Sequence, residues 1–205
     1  MLNHRPRRLI GALLLILALF APPLFANDPA ARAELIALWE KMTQRQGIAF
    51  RVTSSTTVKK SKPLVSTMEV RWPDQFHMKT DGSEMVILPS GTWMNAGGKW
   101  MKIPVDMQKI VAQYTPEMMR KSIDGTQNVV FVGLDSVRGT PVKVYTYDFN
   151  VEVMGINSSG TSKIFLSVVD GYPLRVESTG KAMGKVSTTV ADYEYDDSIR
   201  IGAPN

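Results

Sequence analysis

Residues 72–102 constrain the fold more than any other stretch, because they alternate apolar and polar side chains in short runs separated by turn signals. Turns are indicated at Pro73-Asp74, Asp81-Gly82 and Pro89-Ser90-Gly91. The runs between these turns are too short for helices of ordinary length. The stretch therefore predicts a curved antiparallel β-meander.

The last hairpin of this stretch carries bulky side chains on both faces. Its loop contains Gly97-Gly98, and because side chains alternate with period two, a loop of even length places Trp93 and Trp100 on the same face. Met94 and Met101 then share the other face. Such a sheet has more apolar surface than one small core needs, so either another layer or a ligand covers part of it.

Composition narrows the range of possible partners. The chain has 205 residues, of which 44% are hydrophobic and 21% charged, which is typical of one globular domain with a substantial core. Its formal charge of +5 includes Arg5, Arg7 and Arg8; without them, 21 basic residues face 19 acidic ones, a net charge of +2. With no basic stripe and no groove-reading motif, nucleic-acid binding has little support.

The first 26 residues have the pattern of a secretory signal peptide. A basic start precedes the apolar run 9–20, and small residues precede a cleavage site after Ala26. The alternative, an uncleaved anchor, is disfavoured by Pro22-Pro23 and by an apolar stretch shorter than the about 20 residues that span a bilayer. The chain has no cysteine for a disulfide or for lipid attachment. We therefore expect residues 27–205 to be a single monomeric domain, free in the periplasm.

The remaining pattern predicts a mainly β fold with some α-helix. Asp28-Pro29 begins an amphipathic helix that reaches Gln46 and is closed by Gly47. A second helical stretch is expected over 107–123, with Thr115 and Pro116 starting one of its helices. Strands are expected at 48–58, 64–72, 76–80, 84–88, the Trp hairpin, 128–136, 141–151, 162–169, 173–179 and 185–195, with a flexible GINSSG loop at 155–160. About eleven strands indicate a strongly bent antiparallel sheet, a half-barrel, covered by both helical segments.

This order of elements resembles the LolA/LppX-like superfamily of periplasmic lipid and lipoprotein carriers. The residues that carry the resemblance are 70–76, Val-Arg-Trp-Pro-Asp-Gln-Phe, and the Trp hairpin at 91–102, which look like the strand-edge Pro-Asp-x-Phe and Trp hairpin of that family. The resemblance covers nearly all of the chain after Ala26, through short motifs. It implies an unclosed barrel whose concave side is plugged by helices, with an apolar cavity between them.

The same resemblance implies several possible roles. Members carry lipoproteins or other lipids, or serve as sensor modules of envelope-stress regulators, and carriers exchange cargo with membrane-associated donor or acceptor proteins. A dedicated lipoprotein carrier is expected to have a cavity arginine. Arg51 and Arg71 fall on the polar sides of their strands, so the sequence departs from that pattern.

The residue inventory argues against an enzyme. His4 leaves with the signal peptide, so His77 is the one remaining histidine, and without cysteine neither an ordinary His-based metal site nor a Cys nucleophile is available. His77 falls on the outward side of its strand, and no serine has the Gly-x-Ser-x-Gly setting of a nucleophile. The acidic run at 192–197 lacks calcium-loop spacing and is typical of a solvated strand end. We therefore predict no catalytic residue, metal or cofactor.

Strand alternation and helical spacing predict an apolar ligand site between the two layers. From the sheet, the side chains expected to line it or its continuation are Ile48, Phe50, Val52, Leu64, Met68, Val70, Trp72, Phe76, Met78, Met85, Ile87, Leu166, Leu174 and Val176. From the helices, they are Leu35, Leu38, Trp39, Met42, Met107, Ile110, Met118 and Met119.

Such a site, with very few polar groups, suits acyl chains. The sequence therefore predicts a non-covalent carrier of a lipid or a lipid-modified protein, with residues 107–123 as a methionine-rich lid. Two alternatives remain at this point. The layers can collapse into an ordinary core without a cavity. The same fold can then serve as a protein-interaction or envelope-stress sensor module.

The signal peptide generates a first prediction. In a Gram-negative host, the mature protein should begin at Asn27, within a residue or two, and appear in the periplasmic extract. Mass spectrometry of the purified N-terminus measures this directly. Recovery of the intact N-terminus in washed inner membranes would contradict it.

Overall fold

The computed structural model describes residues 28–44, 47–59, 61–105, 107, 121–153 and 156–204. Helix α1 is Pro29–Gln44. The strands are β1 (Ala49–Val58), β2 (Leu64–Arg71), β3 (Gln75–Thr80), β4 (Ser83–Leu88), β5 (Gly91–Ala96), β6 (Lys99–Ile103), β7 (Thr126–Val137), β8 (Thr140–Val153), β9 (Ile156–Ser167), β10 (Pro173–Ala182) and β11 (Lys185–Tyr195). In the mid-chain region, Met107 and residues 121–124 are helical. The predicted signal peptide and the predicted helix start at Thr115 lie outside the described residues.

All eleven strands form one antiparallel sheet, in the order β6-β5-β4-β3-β2-β1-β11-β10-β9-β8-β7. Strands β1 to β6 form one meander and β7 to β11 another, and the pairing of β1 with β11 joins them. The two edge strands, β6 and β7, do not pair, so the sheet is an open half-barrel rather than a closed one. Strand twist makes a sheet of this width curl. The predicted fold class and number of strands are confirmed.

Helix α1 begins where the sequence predicts. The Asp28 carboxylate accepts hydrogen bonds from the backbone N–H groups of Ala30, at 2.9 Å, and Ala31, at 3.2 Å, which is the geometry of an N-cap. The helix is described as far as Gln44, the predicted residues 45 and 46 lie outside the described residues, and Gly47 has a φ of 75°. A glycine is suited to this left-handed conformation.

The main hydrophobic core lies between α1 and one face of the sheet, which we call the inner face. Leu35 and Leu38 of α1 are buried there. The buried sheet residues around them come from both meanders and are Phe50, Val52, Val70, Phe76, Ile87, Val129, Tyr145, Ile164 and Leu166, with Tyr172 from the turn after β9. One core therefore joins the helix to both halves of the sheet.

The opposite, outer face carries a second, smaller cluster formed by Val137, Val142, Val144 and Phe165. Leu174 packs against this cluster, so its predicted place on the inner face is wrong. The physical reason is a register irregularity: Pro173 pairs with Leu166, but Arg175 pairs with the adjacent Phe165. A bulge of this kind reverses the alternation on which the prediction depended.

The predicted flexible loop at 155–160 is also wrong, because β9 already begins at Ile156. Its Gly160 lies opposite Gly180 of β10 and Phe149 of β8. A Cβ atom on Gly160 would meet the Thr179 carbonyl oxygen at 2.1 Å and the Phe149 ring at 2.9 Å. The glycine therefore serves close packing within the sheet rather than a loop.

This contact generates a second prediction. Gly160→Ala forces backbone or Phe149 to move, and overpacking of this kind costs typically about 1–3 kcal/mol. We expect urea unfolding to show a loss of that size. Gly202→Ala is the matched control, because a Cβ there meets nothing within 4 Å. Equal stability of both variants would contradict the packing role of Gly160.

Candidate ligand-binding face

Five methionines lie directly opposite one another on five successive strands of the inner face. Met68 of β2 pairs with Met78 of β3, which pairs with Met85 of β4. Met85 pairs with Met94 of β5, which pairs with Met101 of β6. We call these five residues the methionine row. It continues the core residue Val52 of β1, which pairs with Met68.

The methionine row is only partly covered. Met78 is 41% exposed and Met101 is 53% exposed, while Met68, Met85 and Met94 are half-buried. The predicted sharing of a face by Met94 and Met101 is confirmed. The alignment of all five was missed, because it depends on the register of four separate hairpins. A thioether side chain is flexible and polarisable, so this surface can adapt to irregular apolar contents.

Toward the end of the sheet that carries the β1–β2 and β10–β11 turns, the inner face is lined by small hydroxyl side chains. Three hydroxyl pairs bridge neighbouring strands, with O···O distances of 2.7, 2.9 and 2.7 Å: Ser54–Ser66, Thr56–Thr189 and Ser162–Ser178. The prediction of a lining with very few polar groups is wrong for this half. Because each hydroxyl has a partner, these groups are tolerated beside apolar contents at modest cost.

In the other half of the inner face, aromatic side chains pack against one another. We call Phe50, Tyr172, Tyr193 and Tyr195 the aromatic floor. The Phe50 ring lies 6.2 Å from that of Tyr193 and 5.7 Å from that of Tyr195, and Tyr195 stacks on Tyr172 at 5.0 Å. Burial raises the pKa of Tyr193 to about 12, and burial also raises the pKa of Tyr147, partly offset by its hydrogen bond with Ser162. The Tyr193 and Tyr147 phenols are therefore neutral at ordinary pH, and they present hydroxyl dipoles rather than charge to the inner face.

The structure brings together most residues that the sequence placed at the site. Leu38, Phe50, Val70, Phe76 and Ile87 are buried in the core cluster. Partly buried side chains packed against that cluster include Trp39, Met42, Met68, Trp72, Met85 and Met107. Met78 lies on the same face but is exposed. Ile110, Met118 and Met119 lie outside the described residues. Binding of a ligand by these side chains stays a prediction.

Helix α1 is held to the sheet by charged groups as well as by its apolar stripe. The Glu34 carboxylate accepts hydrogen bonds from Tyr145 Oη and, at 2.6 Å, from Lys143 Nζ. Burial raises the pKa of Glu34, but the hydrogen bonds from Lys143 and Tyr145, with the Lys143 charge, outweigh it, so the pKa lies below its usual value. Further along α1, Lys41 Nζ donates to the Asp170 carbonyl oxygen and lies 4.6 Å from the Tyr172 ring centre.

The outer face carries ion pairs. Glu69 accepts from Arg51 at 2.6 Å and lies 3.5 Å from His77 Nδ1, while His77 Nε2 lies 3.3 Å from Glu84. The Arg51 hydrogen bond lowers the pKa of Glu69, against the effect of burial and with help from His77. The predicted outward position of His77 is confirmed. Arg51 also faces away from the inner face, as its alternation predicts.

In the acidic run near the C-terminus, Glu194, Asp196 and Asp197 are exposed, as a solvated strand end predicts, whereas Asp192 is partly buried in ion pairs. Asp192 accepts from Arg175 at 2.9 Å and from Arg138 at 3.0 Å, and Glu194 lies 3.6 Å from Arg51. Within the described ranges, no group of three or more His, Cys, Asp or Glu side chains is placed to hold a metal ion. These carboxylates therefore stabilise the outer face.

No family model matches the sequence, and no curated protein does. Solved structures do match. The lipoprotein LppX of Mycobacterium tuberculosis aligns over 85% of this chain and 100% of its own, with a TM-score of 0.59 and 10% identity. The chain therefore shares the fold of LppX. LprF from Mycobacterium bovis aligns over 87% of this chain and 99% of its own, with a TM-score of 0.57 and 11% identity.

The likeness to LppX and LprF shows a shared fold, since identity near 10% carries no residue-level correspondence. It confirms the fold that the family resemblance implied. Among the residues that the structure describes, no helix is long and apolar enough to cross a membrane.

The Glu34 contacts generate a third prediction. The pKa of Glu34 is lower in the folded protein than in the unfolded chain, where it is about 4.3. Ionised Glu34 therefore stabilises the folded protein at pH values above about 4.3, and this stabilisation is lost as the pH falls through the pKa of the folded state. Glu34→Gln should therefore destabilise the protein by about 1 kcal/mol at pH 7, a modest amount because both partners are partly exposed.

Urea unfolding at pH 7 and at pH 3 measures this difference, which should shrink at the lower pH. Glu152→Gln, at the exposed end of β8, is the control and should leave stability unchanged at both. An undiminished difference between wild type and Glu34→Gln at pH 3 would show that the carboxylate charge is not responsible.

Proposed function

We propose that the inner face binds an apolar ligand non-covalently, and that the protein is a carrier of a lipid or of a lipid-modified partner. The observation that carries this proposal is the methionine row, an aligned apolar surface on a curved sheet with two side chains more than 40% exposed. A contiguous apolar surface of this kind is typical of a binding site.

The size and chemistry of the row suit an acyl chain. Five adjacent strands are separated by four spacings of about 4.8 Å, so the row extends over about 19 Å, the scale of a long acyl chain. Each methylene moved from water to such a surface contributes about 0.8 kcal/mol. An extended chain can therefore bind without a strong polar anchor.

The hydroxyl pairs of the inner face suit an amphiphile rather than a pure hydrocarbon. The pairs Ser54–Ser66 and Thr56–Thr189 lie on the inner face of β1, β2 and β11, in the half nearest the β1–β2 and β10–β11 turns. They supply neutral donors and acceptors to ester or headgroup oxygens, without a charge that would have to be neutralised. We infer that a bound lipid lays its acyl chain along the methionine row and directs its polar end toward the hydroxyls.

The proposal extends to the surroundings of the site. The proposed ligand-binding residues on the sheet are Phe50, Met68, Val70, Trp72, Phe76, Met78, Met85 and Ile87. Those on the helices are Leu38, Trp39, Met42, Met107, Ile110, Met118 and Met119. Residues 107–123 are proposed as the lid. We propose a periplasmic protein, released from its signal peptide, that receives and delivers cargo through donor and acceptor partners at membranes and catalyses no reaction.

A second candidate function is a protein-interaction or sensor module whose core is filled. The observation in its favour is the complete burial of Val70 and Ile87, at 1% and 2% exposure, and of Leu35 at 1%, where α1 packs directly on the sheet. Native mass spectrometry and organic-solvent extraction of the purified protein discriminate the two. A carrier releases a hydrophobic molecule, and a filled module releases none.

The carrier proposal generates a fourth prediction, tested with a fluorescent fatty-acid probe. Met68→Glu or Met85→Glu places a charge in the methionine row and should weaken probe binding at least about tenfold, or 1.4 kcal/mol. Thr67→Glu is the matched control, because Thr67 is the neighbour of Met68 on the outer face and pairs with Lys79.

Thermal unfolding of each variant separates lost binding from lost structure. Weakened binding with only slightly reduced stability supports an occupied or solvated face. If the wild type binds no probe and the Met→Glu variants unfold, the inner face is a permanent core and the carrier proposal is wrong.

A further inference from the structure

Four apolar side chains are exposed together at one end of the sheet. Leu64 and Val65 are 55% and 54% exposed at the start of β2, and Met183 and Val186 are 79% and 49% exposed at the β10–β11 turn. The two hairpins are neighbours, because β1 pairs with both β2 and β11, and the Lys59 N–H donates to the Val186 carbonyl at 3.4 Å. We call residues 59, 61–65 and 181–186 the hairpin rim.

The hairpin rim is strongly basic. The two hairpins, residues 52–68 and 178–191, contain no acidic residue and carry five lysines: Lys59, Lys60, Lys62, Lys181 and Lys185. The chain after Ala26 has 21 basic and 19 acidic residues, so the remainder outside these hairpins is net acidic. The basic region is flanked by acidic residues at the same end of the sheet: Asp81 lies in the β3–β4 turn and Glu152 lies near the end of β8.

The backbone conformation of the β10–β11 turn is a second, independent observation that favours a binding function for the rim. Met183 has a φ of 48° and is followed by Gly184 with a φ of 75°. Asn, Asp and Gly are the residues usually found at positive φ in such a turn, whereas a methionine in this left-handed conformation has a conformational cost. The analogous residue of the β7–β8 turn, Arg138 with a φ of 49°, ion-pairs with Asp192. Met183 is instead 79% exposed, so burial within the sheet does not offset this cost.

We propose that the hairpin rim binds the surface of an anionic phospholipid bilayer. Exposed apolar side chains that enter the acyl boundary, flanked by lysines that meet lipid phosphates, are the combination that holds peripheral proteins at a membrane. The apolar residues sit at the turn and the lysine stems can extend alongside them, with their ammonium groups at headgroup level.

The rim has a defined relation to the inner face. It lies at the end of the sheet where the hydroxyl pairs line the inner face, away from the aromatic floor around Phe50 and Tyr195. Binding through the rim therefore turns the hydroxyl-lined end of the inner face toward the bilayer. That the rim binds a membrane is inferred from its exposed apolar residues, its charge and its turn geometry, and does not depend on the proposed carrier function.

Cosedimentation of the mature protein with vesicles tests the inference. Vesicles of phosphatidylethanolamine with phosphatidylglycerol should bind it, and vesicles of phosphatidylcholine alone should bind it at least tenfold more weakly. In 1 M salt, where the Debye length is about 3 Å, binding to the anionic vesicles should also fall at least tenfold. Equal binding to both vesicle types, or no binding to either, would overturn the inference.

Two sets of variants locate the surface. Val65→Ser with Met183→Ser removes apolar contacts, and Lys59→Gln, Lys62→Gln, Lys181→Gln and Lys185→Gln together remove charge; each set should weaken binding to anionic vesicles at least fivefold. Val168→Ser with Val169→Ser is the control, because these residues are 50% and 84% exposed at the opposite end of the sheet. If the rim variants bind as the wild type does, the surface has been misassigned.

The fatty-acid probe keeps the two proposals distinguishable. Rim variants should bind the probe as the wild type does, because none of the substituted residues is among those proposed to bind the ligand. Vesicle binding without probe binding would retain the membrane surface and reject the carrier, and the converse would retain the carrier alone. Circular dichroism of each variant confirms that it is folded.

Discussion

The pairing of β1 with β11 is the interaction on which the rest of the molecule depends. Nine residue pairs, from Phe50 with Tyr195 to Val58 with Ser187, join the two ends of the folded chain and make two meanders into one sheet. Closing so long a loop costs entropy, which burial of Phe50 between Tyr193 and Tyr195 offsets. The same pairing brings the two basic hairpins side by side, so both the core and the proposed membrane surface depend on it.

The inner face is divided along its length between a filled core and a less covered surface, where we propose that the ligand binds. Near the start of β1, large side chains pack under α1 and form the core, whereas Ser54 and Thr56 occupy the same face further along. A second change in cover runs across the strands: the residues around α1 are buried, whereas the methionine row of β2 to β6 is partly exposed. A domain of this size needs a filled core to fold. It can therefore leave only part of the inner face for a ligand.

The outer face contributes only modestly to stability. The Arg51–Glu69 and Arg175–Asp192 pairs are partly exposed, and pairs of this kind typically contribute less than about 1 kcal/mol each. Their effect is to keep one side of a wide sheet polar. Most of the folding free energy must then come from the inner core, which explains why α1 is anchored there by Glu34 as well as by its leucines.

The sequence by itself determined the strands, the N-cap of α1 and the faces of most side chains, because alternation and capping are local properties that short segments express directly. It also determined that Met94 and Met101 share a face. Only the tertiary structure decided that Leu174 turns outward at a bulge and that residues 156–160 are strand rather than loop, because both depend on β9–β10 pairing. The methionine row, the hydroxyl pairs and the union of two basic hairpins were likewise decided by the register between strands. Register is a long-range property that residues far apart in the chain settle together.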